Sequence, residues 1–150
     1  MKILVPTDGS VCALRALDYA INLDKLMGNT ASISLLSVHD DTGLKHVRKH
    51  FPKGTIEDYL HDLSVKELKL SRAKLDKASL DHEVIIKRGH VAGEIVKVAK
   101  SGKFDLIVMG AKGRSTFTDL LIGSVAQRVL SATHIPVTLI KYAPSYRFID

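Results

Sequence analysis

Residues 105–113 read Asp-Leu-Ile-Val-Met-Gly-Ala-Lys-Gly, a short apolar stretch that stops at two glycines. A short aliphatic run bounded by turn residues is typical of a buried strand in a parallel sheet that is covered on both faces. Glycine at such a strand end removes the side chain where a backbone approaches a ligand or takes a positive φ. The stretch therefore predicts a strand over 105–109 and a loop that begins at Gly110.

Apolar runs alternate with helical periodicity over the rest of the chain as well. The predicted strands lie at 3–6, 33–38, 84–86, 105–109 and 137–140, and the predicted helices at 11–27, from 55 onward, 92–101 and 124–132. Strands that alternate with helices favour a parallel sheet with right-handed crossovers, because each crossover has to return over a face of the sheet. The sequence thus predicts an α/β fold.

The second helix follows a segment, 39–54, whose pattern predicts no regular element. Thr55 followed by Asp58 resembles a capping box at the helix start. The charged residues of this helix, Glu67 among them, are expected to form a solvated face. Its candidate apolar positions are Ile56, Tyr59, Leu60, Leu63, Leu68 and Leu75.

Length and composition restrict the class of protein. A chain of 150 residues with 45% hydrophobic residues can bury one sizeable core, so 1–150 is expected to form one domain. The lone Cys12, expected to be a small core residue, excludes an internal disulfide framework and a zinc cluster built on thiolates. No apolar run approaches the ~20 residues that span a bilayer. The opening residues 1–8 lack the apolar core of a signal peptide, which predicts a cytoplasmic protein.

Charge and histidine spacing argue against two further classes of site. The net charge of +6 is spread along the chain, and its densest basic segment is the short stretch 45–50. Because few aromatic residues accompany it, nucleic acid is not the expected partner. His46 and His50 have helical spacing, but no glutamate stands beside the first and no helix is predicted there. A metal site is therefore not predicted.

Two predicted strands end in residues suited to ligand binding. The first runs into Asp8 and Gly9, and the fourth runs into the glycines of 110–113. Ligands of open parallel sheets bind beyond the carboxyl ends of the strands, where the strand order reverses. Gly123 and Ser124 stand at a helix start, where free N–H groups and the helix dipole favour an anion. These pieces suit a nucleotide with phosphates, although the lysine-containing P-loop pattern is absent.

The glycine spacing resembles that of a known family. Gly110, Gly113, Gly123 and Ser124 form the pattern G-x2-G-x9-G-[S/T], which is similar to that of the ATP-binding subgroup of the universal stress proteins. The opening Ile-Leu-Val-Pro-Thr-Asp-Gly-Ser and the closing Ile-Pro-Val-Thr-Leu-Ile resemble the same family. The resemblance implies a five-stranded sheet in the order 3-2-1-4-5 and a homodimer formed through the last strand, Val137 to Ile140.

The resemblance also implies which residues would contact a nucleotide. The adenosine end would be lined by Pro6, Thr7, Asp8 and, through its backbone, Val38. The ribose would be flanked by Met109 and Gly110, and the phosphates surrounded by Gly113, Arg114, Gly123, Ser124 and Val125. Simpler interpretations exist: Asp8 would only cap the first helix, the glycines would be turn residues, and Lys112 would be a solvated loop charge.

The sequence as a whole predicts an ATP-binding stress-response protein in which the nucleotide is a regulatory or structural ligand. It is equally compatible with ADP or AMP, and with or without Mg²⁺. No catalytic residue is identified. Two alternatives stay open: a ligand-free dimeric interaction module, and an enzyme that slowly hydrolyses ATP or transfers a phosphoryl group.

Overall fold

The computed structural model describes residues 1–114 and 121–141. The strands are β1 (Lys2–Pro6), β2 (Ser32–His39), β3 (His82–Arg88), β4 (Leu106–Gly110) and β5 (Val137–Ile140). The helices are α1 (Val11–Leu26), α2 (Thr55–Lys77), α3 (Val91–Ser101) and α4 (Ser124–Ala132). All neighbouring strands pair in parallel, and their order is β3-β2-β1-β4-β5. The predicted α/β class and the strand order 3-2-1-4-5 are therefore confirmed.

Successive side chains of the central strands point to opposite faces of the sheet, which gives the molecule two apolar cores. Ile3 and Val5 of β1 pack with buried residues of α1 and α2, such as Leu17 and Leu68. Leu4 packs on the other face with buried residues of α3 and α4. Within 1–114 and 121–141, no helix combines the length and the apolar character needed to cross a membrane.

Most predicted element bounds lie within one residue of the observed ones, and β3 is the main exception. The sequence predicts only 84–86, whereas the strand extends from His82 to Arg88. Its residues pair with β2 along the whole length, from His82 opposite Ile33 to Arg88 opposite His39. Main-chain pairing does not require apolar side chains, so an edge strand can continue through charged positions that hide it in the sequence pattern.

The predicted capping box at the start of α2 is wrong. Gly54 occupies the N-cap position with φ of 96°, and no side chain caps the helix. Thr55 is already the first helical residue, so its hydroxyl does not stand at the position of a capping group. Tyr59 is 60% exposed and does not belong to the core, whereas Ile56 and Leu60 are buried. The preceding segment contains two short 3-10 turns, Thr42–Leu44 and Arg48–His50.

Candidate functional site

The carboxyl ends of β1 and β4 frame a cavity of about 390 Å³. This volume lies in the range of small-molecule sites, and the position between β1 and β4 is where the strand order reverses. All the residues predicted to contact a nucleotide line this cavity except Arg114. They are Pro6, Thr7, Asp8, Val38, Met109, Gly110, Gly113, Gly123, Ser124 and Val125.

Further residues that line the cavity were not predicted as site residues. They are Ala13, Leu36, Val91, Ile95, Ala111, Lys112 and Ala126. Val91 and Ile95 lie one turn apart at the start of α3, where their helical spacing was a usable signal. Lys112, expected to be a solvated loop charge, is partly exposed and also borders the cavity.

The main chain of Val38 points into the cavity. In a parallel pair, alternate residues direct both their N–H and their C=O toward the same neighbouring strand. The Leu36 carbonyl accepts a hydrogen bond from the Thr7 N–H at 2.8 Å, so Leu36 faces β1, and Val38 faces the same side. The paired register of β1 with β2 ends at Pro6 opposite Leu36. The polar main-chain groups of Val38 therefore extend over the end of β1.

The Asp8 carboxylate spans the gap between the β1 loop and the glycine loop. Its Oδ1 accepts the Ser10 N–H at 2.9 Å. A Cβ atom on Gly113 would lie 3.0 Å from its Oδ2, so the two loops approach each other closely. Ser10 caps α1, because its hydroxyl accepts the Ala13 N–H at 3.2 Å. The interpretation in which Asp8 caps the first helix is therefore wrong.

Gly110 lets the end of β4 pack directly on the start of α1. A Cβ atom there would lie 3.0 Å from the carbonyl carbon of Cys12 and 3.1 Å from the Ala13 nitrogen. Cys12 is buried, and its thiol donates a hydrogen bond to the Ile140 carbonyl at 2.9 Å. This confirms Cys12 as a small buried residue next to the cavity.

The N-terminus of α4 closes the phosphate side of the predicted site. Gly123 occupies the N-cap position, and no side chain caps the helix. The Gly123 N–H donates to the Ala111 carbonyl at 2.7 Å, so this amide is already used and differs from the expected phosphate donor. The following N–H groups, those of Ser124, Val125 and Ala126, have no partner within the helix. With the helix dipole they favour an anion in the cavity.

Arg114 lies outside the cavity lining and pairs with α2. Its Nη1 is 3.1 Å from Oε1 of Glu67, whose Oε2 is 3.5 Å from His39 Nε2. The Glu67 side chain is only 12% exposed, so its expected place on a solvated face is wrong. Burial raises the pKa of Glu67, Arg114 and His39 lower it, and Asp8 raises it further.

Within 1–114 and 121–141, no three or more His, Cys, Asp or Glu side chains are grouped so that they could hold a metal ion.

Comparison with known proteins places the chain in a family. A model of the universal stress protein family matches residues 1–141. The chain belongs to the universal stress protein family. Among its relatives, universal stress protein MJ0531 of Methanocaldococcus jannaschii is 32% identical over 140 residues, which are 93% of this chain and 81% of that protein.

Solved structures of the family share the fold. The structure of MJ0577 superposes with a TM-score of 0.84 and 28% identity over 96% of this chain and 97% of that chain. The universal stress protein of Archaeoglobus fulgidus in complex with dAMP has a TM-score of 0.67 and 22% identity over 94% and 98% of the two chains. At that identity the second likeness shows the common fold alone.

Proposed function

We propose that this universal stress protein binds an adenine nucleotide, ATP in the first instance, in the cavity between β1 and β4. The observation that carries the proposal is that Asp8 and the start of α4, which no side chain caps, line the same cavity. The cavity thus offers an acceptor for sugar or base together with donors for an anion.

Recognition of the base is assigned to the main chain of Val38 and the apolar walls. The N–H and C=O of one residue are a donor and an acceptor, which complements the paired acceptor and donor on one edge of adenine. The walls formed by Leu36, Ile95 and Met109 provide apolar surface for the base. Met109 and Gly110 are assigned to the ribose, and Asp8 to hydrogen bonds from ribose or base.

Recognition of the phosphates is assigned to the glycine loop and α4. Gly113 has no side chain to fill the space beside Asp8. The N–H groups of Ser124 and Val125 and the Ser124 hydroxyl supply neutral donors that suit phosphate oxygens. The Lys112 side chain adds a positive charge to the same lining. Titrations with ATP, ADP and AMP, each with and without Mg²⁺, determine the preferred number of phosphates and the need for the metal ion.

The nucleotide acts in this proposal as a regulatory or structural ligand. A ligand that binds only the folded state stabilises it by about 2.7 kcal/mol at a hundredfold excess over Kd. Nucleotide concentration would thereby change the population of the folded chain. The cytoplasm is the compartment that we propose for this role.

Calorimetric titration with ATP, together with melting temperatures, tests the proposal on the wild type, Gly113→Val and Gly43→Val. A valine at 113 meets the Asp8 carboxylate and fills the cavity, so we expect at least a tenfold loss of affinity, about 1.4 kcal/mol. Gly43 has open space around its Cβ position and serves as the matched control with unchanged affinity. Equal ATP affinity in wild type and Gly113→Val would remove the glycine loop from the site.

We also propose a homodimer that forms through β5. This strand ends the observed strand order, so one of its sides has no neighbouring strand among residues 1–114 and 121–141. An apolar edge of this kind is suited to strand pairing with a second copy. Sedimentation velocity is expected to give the mass of a dimer, and a monomer at micromolar concentration would contradict the edge assignment.

A further inference from the structure

Glu67 is a largely buried acidic side chain, 12% exposed, that lies against three segments bordering the nucleotide cavity. It pairs with Arg114 of the glycine loop and with His39 at the end of β2. Its Cα and Cβ would lie 3.4 Å from a Cβ atom on Gly9 in the β1 loop. The position therefore connects the three segments that bring Asp8, Val38 and Gly113 to the cavity.

The Arg114 guanidinium packs closely against the main chain of the β1 loop at Gly9. A Cβ atom on Gly9 would lie 3.0 Å from Arg114 Nη2, and Gly9 has φ of +75°, a conformation that favours glycine. Gly9 thus allows the guanidinium to lie over the β1 loop while its Nη1 contacts Glu67. The contact of Arg114 is with the carboxylate rather than with the cavity, although Arg114 directly follows Gly113.

An ionised glutamate at this position is unfavourable for folding. Burial raises its pKa, and the nearby charge of Asp8 acts in the same direction. Arg114 and His39 lower the pKa without reversing the net shift. A neutral side chain of the same size would avoid this desolvation, and little of its cost is returned by the pair with Arg114, because the arginine side chain is 59% exposed. A destabilising charge beside a binding site is typical of residues kept for function.

The electrostatic consequence concerns the phosphates. Arg114 and Lys112 are the cations that the described glycine loop contributes, and Glu67 neutralises the first of them. Each phosphate added to a nucleoside brings further negative charge into a cavity whose border already carries the carboxylates of Asp8 and, behind the β1 loop and the glycine loop, Glu67. The opposition grows with the length of the phosphate chain, because Coulomb energies add over the charges.

We propose that Glu67 is a specificity-determining residue that sets the preference among adenosine, AMP and ATP. Its carboxylate holds the Arg114 guanidinium and opposes each additional phosphate charge. This role of Glu67 rests on the adenine-nucleotide site proposed above and determines how many phosphates that site prefers. Neutralising Glu67 releases Arg114 toward the phosphates and removes the opposing charge.

Calorimetric titration of adenosine, AMP and ATP tests this inference on the wild type and on Glu67→Gln. We expect the variant to bind adenosine within about twofold of the wild type, AMP roughly threefold tighter and ATP roughly tenfold tighter, with a gain that shrinks as salt is added. Glu57→Gln is the matched control, because Glu57 lies on the same helix and pairs with Arg48 and Arg88 instead. It is expected to leave all three affinities unchanged.

A second pair of variants identifies Arg114 as the group that Glu67 holds. Adding Arg114→Gln to Glu67→Gln should abolish most of the gain for ATP, and Arg114→Gln alone should weaken ATP more than AMP. The readout from Arg114→Gln alone remains if Glu67→Gln fails to fold by circular dichroism, since the Arg114 side chain is 59% exposed.

Three results would overturn the inference: equal changes for all three ligands, ATP binding weakened by Glu67→Gln, or a full gain that persists without Arg114. An equal loss of AMP and ATP affinity in Arg114→Gln would do the same. A wild-type protein that binds none of the three ligands overturns the proposed function itself, and the inference falls with it.

Discussion

Two cavities lie beyond the carboxyl ends of the strands, and they differ in the contacts that their polar groups make. The second, called the hollow below, lies beside β2 and β3 and is lined by Arg48, Glu57 and Arg88 among other residues. The cavity between β1 and β4 is the smaller, about 390 Å³, whereas the hollow beside β2 and β3 measures about 620 Å³. In the hollow, Oε1 of Glu57 lies 2.7 Å from Arg48 and 3.2 Å from Arg88. In the cavity, the first N–H groups of α4 have no partner within their helix. N–H groups without a partner in their own helix, rather than volume, distinguish the proposed ligand site.

Glu57 and Glu67, the two glutamates of α2, differ in the same way. The pKa of Glu57 is lowered, first by its own backbone N–H and then by the charges of Arg48 and Arg88. The pKa of Glu67 is raised, because burial outweighs the opposing effects of Arg114 and His39. The surroundings of Glu57 thus favour its ionised form, whereas those of Glu67 disfavour it despite the pairs with Arg114 and His39. Variants that change only one of the two sites test this contrast.

The largest effect is expected from Gly110→Val. Its Cβ would meet the backbone of Cys12 and Ala13, which belongs to α1 and cannot rotate away as a side chain does. We expect a loss of about 2–3 kcal/mol in the free energy of unfolding, together with loss of ATP binding. Urea denaturation followed by circular dichroism measures the first quantity. Gly43→Val, which introduces the same side chain into open space, should unfold like the wild type, and equal losses in both variants would contradict the packing argument.

Asp8→Asn is expected to act on binding without acting on the fold. The asparagine carbonyl retains the hydrogen bond from the Ser10 N–H but loses the charge that strengthens bonds from a ribose or base. Affinity for adenosine should fall roughly tenfold, the difference between a charged and a neutral hydrogen bond. Competition against a fluorescent nucleotide measures this fall. Unchanged adenosine affinity would show that the carboxylate does not contact the nucleoside.

Changes in the hollow should leave the cavity unaffected. Arg88→Gln removes one of the two cations on Glu57 but leaves the partly exposed pair of Glu57 with Arg48. Because exposed ion pairs contribute little, the free energy of unfolding should change by less than about 1 kcal/mol, and ATP affinity should stay the same. A loss of ATP affinity in this variant would place the nucleotide in the hollow and reverse the comparison.

The smallest effect concerns the pH dependence of stability. The pKa of Glu67 is higher in the folded chain than in the unfolded chain, so its protonation stabilises the fold. This contribution is fully present below the unfolded pKa and is lost as pH rises through the folded pKa. Glu67→Gln should therefore gain stability over the wild type near neutral pH, and the gain should shrink toward pH 4. Urea titrations of both proteins across this range check the sign, and a gain that grows on acidification would contradict it.

The sequence predicts the strands and the cavity well because their signals are local. The run at 105–109 and the spacing from Gly110 to Ser124 are read within one segment, and a parallel sheet brings strand ends to one edge. The contact of Glu67 with Arg114 depends instead on how α2 packs over the β1 loop. In the sequence, Glu67 is one of many charges on a helix, and no local pattern separates it from its solvated neighbours.

The most direct test of the central claim is a crystal structure of the protein grown with ATP. We expect the adenine beside the main chain of Val38, the ribose near Asp8, and the phosphates within hydrogen-bonding distance of the N–H groups of Ser124 and Val125. A nucleotide bound in the hollow beside β2 and β3, or a cavity that stays free of nucleotide at saturating ATP, would contradict the account.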